Sequence, residues 1–109
     1  METRCEVMRL KVDKIKEYID IHLNPWPELL EEIESSKIVE EYVFIVKNIV
    51  IVFIRTNDVE NAIKNLQKKE ICKKWSIIVR KMLTINNNIK LPKIDVINAR
   101  CIFEYSKRL

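Results

Sequence analysis

The 109-residue chain has no glycine and a single histidine. Phosphate-cradling loops and dinucleotide fingerprints put glycine where the backbone must take positive φ or approach a phosphate closely, so nucleotide-dependent chemistry is not expected. One histidine cannot assemble a multi-histidine metal site, and no His, Asp and Glu residues cluster at ligand spacing, so neither a metal nor another cofactor is expected. Cysteine is sparse: Cys5, Cys72 and Cys101 are odd in number, far apart and without a CxxC pair. This signals neither a disulfide framework nor a zinc site, and three buried free thiols are expected. Long apolar runs are also missing, since charge interrupts each one well before the ~20 residues of a membrane span. With no export-type N-terminal pattern either, the reading is a soluble cytoplasmic protein that does not contact membranes. The charged residues, 33% of the chain with a net charge of +4, are of both signs, interspersed along it. Its aromatics are not interleaved with basic residues on a strand, so nucleic-acid binding is not expected.

What is present is an apolar fraction of 48%, enough for one small core, and residues 1–109 are read as a single domain. In CEVMRLKV, Cys5 to Val12, the residues Met8, Leu10 and Val12 share one face, which predicts a strand. From Asp13 the apolar spacing becomes helical through Ile15, Tyr18, Ile19 and His22, then Trp26, Leu29, Leu30 and Ile33. Pro25 and Pro27 interrupt this pattern, predicting a helix to about His22, a bend, and a second helical piece from Pro25 with Asn24 as its cap. EYVFIVKNIVIVFIRT reads as a hairpin about Lys47-Asn48. Asn57 or Asp58 then caps a helix through Leu66, a further helix runs from Glu70 to Leu83, TINNNIKLP is a loop, and DVINARCIFEY is a closing strand.

This order predicts an α+β fold of the ferredoxin-like βαββαβ type, an antiparallel sheet with helices on one face. A sheet with one wet face should alternate apolar and polar residues, yet Tyr42 to Val46 and Ile49 to Ile54 are apolar on both parities. Both faces should therefore be covered. Helices cover one, and a second copy of the chain, packed sheet to sheet, is the simplest cover for the other.

One stretch concentrates the unusual residues. EYIDIHLNPWPELLEEI, Glu17 to Ile33, holds the histidine, one of two tryptophans, one of three tyrosines and two of three prolines. Tyr18, His22 and Trp26 follow at i, i+4 and i+8, a single stripe on a continuous helix. Such a stripe is ordinarily core, but polar-tipped aromatics beside an imidazole also suit a monosaccharide, whose C–H faces pack on rings and whose hydroxyls need hydrogen-bond partners.

MRLKVDKIKEYIDIHLNPWPELLEEI, with its Tyr-x3-His and N-x-WPE pattern after a strand, resembles the opening of the L-rhamnose mutarotase family. The likeness continues through Tyr42, through ICKKW from Ile71 to Trp75, and into the closing strand. It implies a dimeric α/β barrel of ferredoxin-like subunits and an isomerase that interconverts the α and β anomers of L-rhamnose or a related hexose by acid–base ring opening, without a cofactor. It also implies His22 as the acid/base residue, with Tyr18, Tyr42 and Trp75 contacting the sugar; Trp26 completes the aromatic stripe. Family members typically carry two consecutive tryptophans at the last motif, whereas here Trp75 is followed by Ser76. A serine there would give a roomier, more polar pocket.

Two other readings of the residues stay open at this point. One is a small oxygenase or haem protein on the same barrel architecture with His22 as a ligand. The other is a sugar-binding module that has lost turnover through the Ser76 change.

Overall fold

A computed structural model describes residues 1–84 and 100–107. Strand β1 spans Glu2–Arg9, followed by a 3-10 turn at Val12–Lys14, helix α1 at Ile15–Leu23 and helix α2 at Pro27–Ser35. Strands β2 (Ile38–Val46) and β3 (Ile49–Thr56) form the hairpin, helices α3 (Val59–Gln67) and α4 (Glu70–Met82) follow, and β4 (Arg100–Ser106) closes the sheet. All pairings are antiparallel in the order β1-β3-β2-β4. This is the α+β, ferredoxin-like arrangement expected from the sequence. Among the described residues no helix is long and apolar enough to cross a membrane.

Local chemistry accounts for the element ends. Asp58 caps α3 by accepting a hydrogen bond from the Asn61 amide at 3.1 Å, a contact worth about 1 kcal/mol. The hairpin turns on Lys47, whose φ of 54° is a position glycine commonly fills in other chains. Asn48 ties this turn to the end of β1: Leu10 donates its amide to the Asn48 carbonyl at 2.7 Å, and Asn48 Nδ2 donates to the Leu10 carbonyl at 3.1 Å.

Three expectations are corrected. The first strand ends at Arg9 instead of Val12: Leu10 makes an isolated bridge to Leu83, and the chain then turns, leaving Val12 75% exposed. The second helix begins at Pro27 with Trp26 as its N-cap, because a residue preceding proline is pushed to the extended conformation that Trp26 adopts (ψ 133°). Asn24 instead closes α1, its amide and its side chain both donating to the Asp20 carbonyl. Of the cysteines, only Cys72 is buried; Cys5 and Cys101 lie exposed on strands. The TINNNIKLP loop from residue 85 onward and the start of the closing strand, 95–99, lie outside the described residues.

All four helices pack on one face of the sheet. Tyr18 of α1 and Met82 of α4 bury against Val43, Ile45, Val50 and Ile102, and Ala62 of α3 against Ile38 and Ile54. Leu29 and Ile33 of α2 meet Cys72 of α4, with Phe103 and Tyr105 of β4 beneath them. The helix-free face carries Tyr42, Phe44 and Phe53, whose ring centroids stand 6.2 Å (Tyr42–Phe44) and 5.9 Å (Tyr42–Phe53) apart.

Candidate active site

The amphipathic spacing that makes α1 a helix also aims two of its residues at the sheet. Tyr18 and His22, one turn apart, are 1% and 7% exposed. Their rings stack with centroids 4.0 Å apart. The His22 Nδ1 lies 2.8 Å from the Tyr18 carbonyl oxygen. Since a carbonyl can only accept, Nδ1–H is the donor, and in the neutral ring the lone pair is left on Nε2. Burial pulls the His22 pKa below its usual 6.5, opposed in part by that hydrogen bond, which favours the charged ring. The result is a neutral imidazole with a fixed tautomer near neutral pH.

Helix α4 supplies the facing wall. Trp75 meets His22 edge-on at 5.2 Å and Trp26 at 5.1 Å, so the three rings form a connected corner between α1, the start of α2, and α4. Trp26 braces Trp75 from behind. A cavity of about 310 Å³ lies between this corner and the sheet, lined among others by Tyr18, His22, Trp75, Ser76, Glu6 and Glu41. That volume is at the small end of the range for small-molecule sites, and the mixture of apolar walls with a few polar groups is typical of them. A neighbouring space of about 40 Å³ shares His22, Glu41 and Trp75 and extends toward Phe103.

The structure thus brings together Tyr18, His22, Trp75 and Ser76, with Trp26 in contact behind them. It does not bring Tyr42, for which the resemblance implies a contact with the sugar, to this cavity. Val43 and Ile45 face the helices, so Tyr42 and Phe44, of opposite parity, face away from them. Glu41, one residue earlier, takes the inward place. Glu41 sits in a polar lead-in to an apolar run; it shares the parity of Val43 and Ile45, but that run is apolar on both parities and does not mark which of them meets the helices.

The electrostatics of the cavity are unusual for a surface rich in charge. Loss of hydration, reinforced by the negative charge of Glu6, pushes the Glu41 carboxyl up from 4.5 to about 7. Desolvation first, and then the charge of Glu41, push the Tyr18 phenol well above its ordinary value, so it remains a neutral donor. Among the described residues no group of three His, Cys, Asp or Glu side chains is arranged to hold a metal ion. The polar groups present can give and take protons and hydrogen-bond hydroxyls.

Comparison with known proteins fits this geometry. No curated protein matches the chain. Among solved structures, the crystal structure of an L-rhamnose mutarotase from Formosa agariphila is similar, with 22% identity and a TM-score of 0.63 over 90% of this chain and 100% of that one. At this identity the likeness shows the fold. The profile of the L-rhamnose mutarotase family matches residues 3–105, from β1 into β4 and across the whole cavity. The chain belongs to the L-rhamnose mutarotase family.

Proposed function

We propose that this sugar mutarotase opens and recloses its substrate in the cavity between α1, α4 and the sheet, with His22 as a proton-transfer residue and L-rhamnose or a related hexose as substrate. The observation that carries the reading is the pairing of His22 Nδ1 with the Tyr18 carbonyl at 2.8 Å, which leaves Nε2 as the basic nitrogen of a buried, neutral ring. Exchanging anomers requires a proton removed from the anomeric hydroxyl and one delivered to the ring oxygen, and nothing more. A positioned imidazole suits that task because its charge changes near neutral pH, and such assistance typically contributes ~10²–10⁴-fold. Tyr18 supplies a neutral hydroxyl, Trp75 a ring surface for a C–H face of the sugar, and Ser76 a further hydroxyl in place of a second ring. Trp26 acts through Trp75, which it contacts at 5.1 Å.

The helix-free face supports a homodimer. Tyr42, Phe44 and Phe53 cluster on it, and Val7 is 40% exposed beside them on β1. A second copy packed sheet to sheet would cover this patch. Tyr42 then belongs to the interface rather than to the sugar.

The experiment is NMR saturation transfer between the anomers of a panel of 6-deoxy and ordinary hexoses. The expected result is exchange well above the buffer rate for L-rhamnose or a close relative. Binding without faster exchange would replace the enzyme reading with a sugar-binding module.

A further inference from the structure

Ring opening involves two proton movements at two different oxygens, and His22 is the only imidazole. A second proton carrier facing the same cavity is therefore worth seeking. Glu41 lines both the main cavity and the small space beside it, in each case with His22 and Trp75. Its parity on β2 puts it on the helix-facing side with Val43 and Ile45. It takes part in none of the ion pairs among the described residues; its neighbour Glu40, on the other face, is the one that pairs with Arg55 at 3.2 Å. A partly buried carboxyl that opens on a cavity and has no cationic partner among the described residues is a poor choice for stability, since an apolar residue would pack there without the cost of burying a charge.

We propose that Glu41 is a second catalytic residue of this enzyme, acting on the same sugar as His22. The inference rests on the reading of the cavity as the mutarotase site. In the opening step, His22 Nε2 takes the proton from the anomeric hydroxyl, the C1–O1 bond becomes a carbonyl, and the C1–ring-oxygen bond breaks with its electron pair moving to the ring oxygen. That oxygen takes the proton of the Glu41 carboxyl. Rotation about C1–C2 presents the other carbonyl face; on closure the attacking hydroxyl returns its proton to the Glu41 carboxylate and His22 gives its proton back to O1, leaving both residues as they began. No oxidant, metal or second reactant enters the balance.

The carboxyl can serve as the acid only if it keeps its proton near neutral pH. Its surroundings are arranged for that. Glu6 on β1, paired with Arg4 at 3.2 Å, adds a like charge, Tyr18 and His22 face it from α1, Cys72 lies across from it on α4, and Tyr105 is its partner on β4. The cavity-lining residues of α2, α3 and β3 include no ionisable side chain. Arg4 is held by Glu6 and does not line the cavity, so among the described cavity-lining residues no fixed cation offsets the loss of water, and the carboxyl holds its proton to about 7.

The test is anomer exchange on L-rhamnose from pH 5 to 9 for wild type, Glu41→Gln and Glu6→Gln, with melting curves to confirm folding. Wild type should lose activity above about pH 7 as Glu41 ionises. Glu41→Gln keeps the shape of the side chain but cannot cycle a proton; its exchange kcat should fall by ~10²-fold or more with KM little changed, and its residual rate should not decline above neutrality. Glu6→Gln should move the alkaline limb to lower pH, because it removes the like charge that raises Glu41. A Glu41→Gln enzyme with wild-type rate and an unshifted alkaline limb would overturn the proposal, as would a limb unmoved in Glu6→Gln. If wild type itself gave no exchange, the mutarotase reading would fail first and this inference with it; an active wild type beside an unaffected Glu41→Gln would sink the inference alone.

Discussion

The imidazole of His22 lies against the ring of Tyr18 at 4.0 Å and donates from Nδ1 to the Tyr18 backbone carbonyl at 2.8 Å. One helical turn thus fixes both the position and the tautomer of the ring. Tyr18→Phe keeps the stacked ring and the carbonyl and removes only the hydroxyl. Its effect should fall mainly on KM for the sugar, with kcat reduced less than tenfold. Steady-state anomer exchange at several sugar concentrations separates the two.

The pH dependence of stability carries two opposite signs. The folded-state pKa of His22 is lowered from 6.5, so its contribution is present above 6.5 and is lost as the pH falls through the folded value. Glu41 is raised from 4.5 to about 7, so its contribution is complete below 4.5 and is lost as the pH rises through 7. The Glu41 contribution to the wild-type melting temperature should therefore fall between pH 4.5 and about 7 and be level above that. In Glu41→Gln that fall should be absent, and thermal unfolding of both proteins across this range is the check.

Trp75 joins the site to the core. It touches His22 at 5.2 Å and Trp26 at 5.1 Å and packs with Leu29, Ile33 and Cys72. Trp75→Ala should cost ~3 kcal/mol in denaturant unfolding, in line with large-to-small changes of aromatic core residues. Trp75→Phe should retain most of that stability while raising KM, because a smaller ring covers less of a sugar face.

The helix-free face gives a prediction about assembly. Phe53→Glu places a charge in the middle of the Tyr42, Phe44 and Phe53 cluster. Light scattering should give twice the 13.1 kDa chain mass for wild type and a shift toward the single chain for the variant. A wild-type mass of one chain at micromolar concentration contradicts the proposed dimer.

The sequence was most legible where pattern and chemistry agreed. The helical spacing of Tyr18 and His22, the Asp58 cap of α3 and the Lys47-Asn48 turn all stand where the residues predict them. Parity on β2 was illegible for a physical reason. Tyr42 to Val46 are apolar on both faces, so nothing local marks which side meets the helices, and β2 also changes register against β3 between Ile38 and Glu40. A shift of one residue exchanges Tyr42 for Glu41 in the cavity. The end of β1 was misjudged for a related reason: Leu10 and Val12 share the strand period, and only the contact of Leu10 with Leu83, far along the chain, reveals that one is core and the other solvent.

Ser76 lines the cavity next to Trp75, so a larger side chain there would reduce its volume. Ser76→Trp should shift preference toward L-rhamnose over a hexose with an additional hydroxyl, read as the ratio of kcat/KM values for the two sugars. An unchanged ratio would show that this position does not set the substrate.

If His22 moves protons for anomer exchange, its removal must slow that exchange. Saturation transfer between the α and β anomers of L-rhamnose, measured for wild type and for His22→Ala at matched folding, tests it most directly. The variant should stay folded and lose ~10²-fold or more of the wild-type acceleration. Full anomer exchange in a folded His22→Ala enzyme would contradict it.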